Sequence, residues 1–415
     1  SALAMRWARF LGAAVVEIYE LVDGAYEHTR TLEPEGSDGD FGRALAFAAD
    51  GSRLAVGGDD EVSMFRRTSS GHWTREATLT APDTSDFGRA VALSDSGLTV
   101  AVGDLRDDHC GNGVYGGDFS SPYPTVDTSD CRDTGAVWVF LRGASEWPTE
   151  PVLLKAPNAD EGDWFGTSVA LSGDGRMLVA GAISEASCAT GVNPGGGAQD
   201  DNACSSSLGG NEPGAAYVFR EAAGEWRFAD YLKPGVDELV NMGWNAAVSD
   251  DGSLIATGRD DGLEVYRRSG STWTASTLTP PGLEASDGFT FGVAVSADGA
   301  WIAASASDEA SCASGVRPTP ATDNECSGAG AVHAFDPSGA YAAYFKPFAT
   351  DAGDRMGAGN AGFVFFESLG TPALLACASG EDGNGLGVDN GDPANDDAEN
   401  AGACYLFYFD GTSWR

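Results

Sequence analysis

The sequence predicts an all-β chain made of repeated four-stranded antiparallel units, and three observations predict it. One pattern of residues is written six times along the 415-residue chain. In each copy apolar residues alternate at period two on both sides of a tight turn, the signature of a hairpin. No helical pattern of about 10–15 residues separates the strand-like runs, which excludes a parallel α/β arrangement. Repeated units of about four short strands close into a β-propeller.

The pattern is clearest in DWFGTSVALSGDGRMLVAGA, residues 163–182. An acidic turn leads into Phe165-Gly166, Val169 and Leu171 alternate, Asp174-Gly175 reverses the chain, and residues 177–182 run back. The opening recurs at Phe41-Gly42, Phe87-Gly88, Met242-Gly243, Phe291-Gly292 and Met356-Gly357, so repeats start near residues 41, 87, 165, 242, 291 and 356. The turn recurs at Asp50-Gly51, residues 95–97, Asp251-Gly252 and Asp298-Gly299, and decays to residues 368–370 in the last copy. A lone Phe-Gly or Asp-Gly means nothing, but six in the same order define an internal repeat. First strands such as RALAFAA (43–49) carry small residues between larger ones, so both faces of the sheet can be packed closely. Third strands end in an aromatic, as in AAYVF (215–219). Fourth strands are marked by Tyr26, Trp73, Trp147, Trp226, Trp273, Tyr341 or Trp414.

Third strands number seven and first strands six, the mismatch expected of a ring closed by both termini. Residues 1–415 therefore read as a single propeller domain of seven blades, with six as the alternative. Residues 1–34 read as a partial closing blade beside the C-terminal unit, because FLGAAVVEIYE (10–20) aligns with VGGDDEVSMFR (56–66). The stop at Arg415, just inside a fourth strand, reads as a fragment of something longer. Residues 5–16 have a faint likeness to a leader peptide but run straight into strand-like EIYE. No stretch approaches the roughly 20 apolar residues of a membrane span.

The formal net charge is −38, with 62 acidic residues against 24 Lys and Arg, and only Lys155, Lys233 and Lys346 are lysines. Such a surface repels nucleic acid and anionic membranes and invites divalent cations, basic partners or a salty medium. The eight cysteines fall as Cys110/Cys131, Cys188/Cys204, Cys312/Cys326 and Cys377/Cys404, one pair in each of four units, around the interval between second and third strands. Units with a short interval there, GGDDEV (57–62) and GRDDGL (258–263), have none. That correlation favours disulfide stapling of long loops over a metal or redox role, each closure contributing roughly 3 kcal/mol in the chain-entropy model. It places the protein outside the cell, secreted or at the surface. Aligned with the third unit, Cys377 and Cys404 fall on Gly181 and Ala216, so that bridge should cross the sheet directly.

The Phe-Gly opening, Gly181-Ala182 at the end of the second strand and GAAYVF (214–219) as the third resemble the FG-GAP repeats of integrin-like β-propellers, over essentially the whole chain. The resemblance implies an extracellular propeller that mediates adhesion or protein recognition, or that accompanies an enzyme as an accessory domain. Calcium loops of the form DxDxDGxxD, frequent in such repeats, are replaced here by SGDGRM (172–177) or SADGAW (296–301). These hold too few oxygens for a calcium site of about 6–8 ligands.

In an up-and-down blade, the fourth-to-first and second-to-third loops emerge at the same edge. The first kind is acidic, with Asp38, Asp40, Asp83, Asp86, Asp160, Asp163, Trp164, Asp287, Asp351 and Asp354 as candidates for a binding face. The second carries the disulfides and the long insertions. By the resemblance, this elaborated face binds a protein partner or other copies in a surface assembly. The bland reading of the same aspartates is that each accepts backbone N–H groups within its turn. Asp389, Asp392, Asn395 and Asp396 have oxygen-rich spacing that suits calcium, the one cofactor expected. A glycan-binding module using Tyr115, Tyr123 and Trp164 is the alternative. Catalysis finds little support: His28, His72, His109 and His333 are scattered over four units and no HExxH, GxSxG or Walker A pattern occurs. A propeller hydrolase or lyase stands only on analogy of fold.

Overall fold

The structure, a computed structural model, describes residues 2–8, 14–23, 25–35, 40–116, 122–194, 202–204, 212–236, 238–358, 362–368, 370–382 and 402–415. It is an all-β propeller fold of antiparallel sheets, as the sequence predicts. The chain divides into two compact units, Ser1–Ala246 and Ala247–Arg415.

In the first unit a three-stranded N-terminal sheet (Ala2–Ala8, Ala14–Val22, Ala25–Leu32) precedes blade one, formed by Leu45–Phe47, Arg53–Gly57, Val62–Arg67 and Trp73–Leu79. Blade two is built from Ala90–Leu93, Thr99–Asp104, Ala136–Leu141 and Val152–Lys155, with Gly113–Gly116 added at its outer edge. Blade three holds Phe165–Leu171, Met177–Ala182, Ala215–Ala222 and Glu225–Leu232. Blade four, Ala246–Val248, Leu254–Arg259, Gly262–Ser269 and Thr272–Leu278, opens the second unit, which begins at Ala247. In the second unit blade five comprises Phe289–Val295, Ile302–Ala306, Ala331–Phe335 and Tyr341–Phe345, with Val316–Arg317 at its edge. Blade six is Phe363–Ser368, Thr371–Ala378 and Ala403–Tyr408. Blades thus number six, the alternative count rather than seven. The N-terminal sheet stands outside that count because no copy of the Phe-Gly opening precedes its strands.

The geometry gives the repeat its reason. Phe41, Phe87 and Phe165 are fully buried plugs, and the glycine after each has positive φ (85°, 97° and 90°). That backbone presses its carbonyl into the preceding blade: the Gly166 oxygen lies 2.1 Å from where a Cβ on Gly103 would stand, Gly88 meets Gly57 at 2.0 Å, and Gly243 meets Gly181 at 1.9 Å. Glycine is needed on both sides, once for conformation and once for space. Above this contact Val137, Val139 and Leu154 of blade two pack with Phe165, Leu178 and Tyr217 of blade three. At the hairpins, Ser172 donates to Asp174 Oδ1 at 2.7 Å and Asp174 accepts the Arg176 N–H at 2.9 Å. Ser249 with Asp251, and Ser296 with Asp298, repeat that turn.

One opening sits two residues from where the sequence puts it. In blade five the buried aromatic is Phe289, which pairs with Ala306 as Phe165 pairs with Ala182, whereas Phe291 is 43% exposed. Thr290 takes the glycine position with φ of 68°. Phe-Thr-Phe-Gly offers two candidate plugs, and the register of the strand chooses the first.

All eight cysteines are paired as expected, with Cys110–Cys131, Cys188–Cys204 and Cys312–Cys326 in loops. Cys377 and Cys404 are direct cross-strand partners with Cα atoms 3.9 Å apart, so this bridge does cross the sheet.

Candidate functional site

In blades two, three and five the insertion between second and third strands turns back over the fourth strand as a strap. Gly113 pairs with Lys155, Val192 bridges Leu232, and Val316 pairs with Phe345. The strap covers what would be an exposed sheet edge, and the three loop disulfides close these same insertions.

Beneath each strap lies a lysine. Lys155, Lys233 and Lys346 stand at the end of the fourth strand of their blades, and all three are 0% exposed. Each meets an acid that follows the second strand: Lys155 Nζ donates to Asp107 Oδ1 at 2.9 Å, Lys346 to Glu309 Oε2 at 2.7 Å, and Lys233 to Glu185 Oε2. The same carboxylates accept backbone N–H groups from His109 (3.0 Å), Ser187 (3.2 Å) and Ser311 (3.1 Å), which fixes their orientation. In sequence the acid begins DDHC (107–110) or EASC (185–188 and 309–312), so the disulfide anchors the segment that carries it. Burying an ion pair is costly unless further hydrogen bonds support it, and here each carboxylate also accepts a backbone N–H. Sequence reasoning missed these clusters. The available signal was that every lysine occupies one repeat position, LLKAP, YLKPG and YFKPF, in the blades with loop disulfides.

The charges are sharply divided. Burial pushes Lys155 and Lys346 below the usual lysine range against the pull of Asp107 and Glu309. Asp107 lies below the usual carboxylate range because His109 and Lys155 outweigh its burial. Its neighbour Asp104 is raised to about 7 by burial and by the charge of Asp107. Burial likewise raises Asp163 to about 8 and Asp354 to about 6. Asp104 therefore keeps its proton in the fold up to about pH 7, whereas the unfolded chain ionises it near pH 4. Its contribution to stability is full below that value and is lost as pH rises through about 7. Asp104→Asn should remove roughly 2–4 kcal/mol of this pH dependence. Urea unfolding between pH 5 and 9 checks it: parallel curves for the two proteins would contradict the assignment.

The acidic loops singled out from sequence are largely occupied with their own turns. Asp163, Asp287 and Asp354 accept the N–H groups of Asp160, Glu284 and Asp351 at 2.9, 2.8 and 2.7 Å. Asp40 pairs with Arg43, Asp86 with Arg89, and Asp160 also accepts from Asn202 at 3.0 Å. Asp83 and Trp164 have positive φ, 53° and 59°. In each unit these loops lie against the disulfide-closed insertions: Gly162 donates to the Arg132 carbonyl and Gly353 to that of Ser327, both at 3.0 Å. Tyr115 and Tyr123 brace the blade-two strap, donating to the carbonyls of Asn112 and Pro151 at 2.8 and 2.7 Å. The histidines do not converge: His28 meets Glu17, His109 meets Asp107, and buried His333, its pKa lowered to about 3, meets the Tyr341 hydroxyl. Asp38 and the calcium candidates Asp389, Asp392, Asn395 and Asp396 lie outside the described residues. Among the described residues no three His, Cys, Asp or Glu side chains are grouped to hold a metal ion.

Residues 149–219 match the FG-GAP repeat family, a frame that runs from the fourth strand of blade two to the third strand of blade three. No curated protein matches the chain in sequence. Among solved structures the chain is similar to the β-propeller domain of Cps50 (Swd1) from Myceliophteria thermophila, with a TM-score of 0.52 and 11% identity over 91% of this chain and 96% of that one. A protein from Lactobacillus plantarum is similar with a TM-score of 0.48 and 12% identity over 84% of this chain and 83% of that one. The first likeness bears on the fold alone. Four disulfides and an FG-GAP repeat fit an extracellular protein.

Proposed function

We propose that this chain is an extracellular recognition or surface-assembly module that engages a protein partner, or further copies of itself, through its disulfide-braced acidic loops. The observation that carries this reading is the strap: three insertions, each closed by a disulfide, are laid across a strand edge and joined to an acidic loop. Elaboration confined to one kind of loop on a regular scaffold is how binding surfaces are built. The net charge of −38 favours a basic partner, or calcium bridging two acidic surfaces.

Sedimentation velocity of the full chain, with calcium or a chelator, tests the assembly arm. Saturable binding of labelled chain to intact cell-surface material tests the partner arm. Self-association or surface binding is expected, and the charge reversals Asp160→Lys and Asp351→Lys should weaken it about tenfold or more. A monomer that binds no surface, or binding indifferent to both reversals, would overturn the reading. Binding restricted to a glycan array would replace it with the carbohydrate alternative.

A further inference from the structure

Blade three differs from the other strapped blades in what its buried acid holds. The two oxygens of Glu185 are divided between an amine and an amide: Oε2 accepts from Lys233 Nζ, and Oε1 accepts from Asn158 Nδ2 at 3.2 Å. On its other side Asn158 Oδ1 accepts the hydroxyl of Tyr217 at 2.8 Å. Lys233 is 0% exposed, Glu185 1%, Tyr217 0% and Asn158 8%. A nucleophile, a proton carrier, an acyl group and a donor to its oxygen are thus gathered in one dry site.

We propose that Lys233 and Asn158 react to form an intramolecular isopeptide bond. Proton transfer across the Lys233–Glu185 contact leaves a free amine and a carboxylic acid, the form from which the amine can attack. The amine nitrogen attacks Asn158 Cγ, and the negative charge that develops on Oδ1 is met by the Tyr217 hydroxyl. Glu185 gives its proton to Nδ2 as that nitrogen leaves as ammonia, and takes the second proton from the attacking nitrogen, so that it ends as the carboxylic acid. The Nζ–Cγ bond forms, the Cγ–Nδ2 bond breaks, and one ammonia is released; no oxidant, reductant or metal takes part. Desolvated lysine is an effective nucleophile, and holding it beside its target replaces an encounter between separate molecules.

The other two lysines lack an amide partner in this position. Lys346 faces Glu309, but Gly282 stands before Asp287 as Asn158 stands before Asp163. Lys155 divides its contacts between Asp107 and the Thr134 hydroxyl, the latter at 2.7 Å. The reaction is therefore confined to one blade, and the product would tie the end of its fourth strand to the loop that leads into its first, beyond the reach of reductants.

Intact mass spectrometry of the full chain, reduced and denatured, tests this. The folded protein should weigh one ammonia less than its sequence requires, and proteolysis should release a branched peptide joining the segments of Lys233 and Asn158. Lys233→Arg and Glu185→Gln should restore the full mass, Tyr217→Phe should slow the loss, and Lys346→Arg should leave it unchanged. Because the decisive reading is made on the unaltered chain, a variant that fails to fold does not blunt it. A full sequence mass after prolonged incubation of folded protein would overturn the proposal. So would ammonia loss without a branched peptide, the mark of a cyclised asparagine instead.

Discussion

Gly181→Ala should destabilise the protein by roughly 3–5 kcal/mol or prevent folding, because the new methyl has nowhere to go. Its Cβ would stand 1.9 Å from the Gly243 carbonyl oxygen and 2.6 Å from Ser168 Oγ. The first of these is backbone, at the opening of the neighbouring blade, so no rotamer change relieves the clash. Gly143→Ala is the control, since the nearest atom to its Cβ is 3.4 Å away and its φ is ordinary. Chemical denaturation of the two variants should separate them by several kcal/mol; a Gly181→Ala loss under about 1 kcal/mol would mean that the glycine-on-glycine contact does not set the spacing of the blades.

Lys346→Met is expected to cost roughly 3–5 kcal/mol, the scale measured when one partner of a buried ion pair is removed and the other is stranded. Glu309 would then keep its Ser311 N–H bond but lose the cation 2.7 Å away. Replacing both partners, Lys346→Met with Glu309→Leu, should recover most of that loss, since no charge is left without a partner. A double-mutant cycle reads this directly, and the coupling should be at least about 2 kcal/mol. If the double variant is no more stable than Lys346→Met alone, the pair is not the unit that matters, and the Ser311–Tyr344 hydroxyl contact at 2.7 Å becomes the next suspect.

Much of this architecture was legible because it is enforced by local rules that leave marks in sequence. A glycine needed for positive φ follows plugs such as Phe87 and Phe165, and an aspartate that ties its own turn marks hairpins such as those at Asp174, Asp251 and Asp298. Cysteines could be paired because each pair stays within one repeat, and the crossing of the sheet by Cys377–Cys404 followed from alignment with Gly181 and Ala216. What escaped notice depends on burial, which a string of letters does not display. Phe291 outranked Phe289 on pattern alone, and only the strand register reverses them. The straps are short pairings, Gly113–Gly116 and Val316–Arg317, inside segments rich in Gly and Pro that read as plain loops. Lysine is ordinarily an exposed residue, so its confinement to one repeat position went unread as a sign of a buried cluster.

That confinement has a practical consequence for handling the molecule. Because every lysine is enclosed, the native protein presents no lysine ε-amine to acylating, glycating or cross-linking reagents, and its outer positive charge is carried by arginine. Amine coupling through lysine should fail on the folded chain and succeed on the denatured one, which makes lysine reactivity a direct gauge of whether the straps are closed.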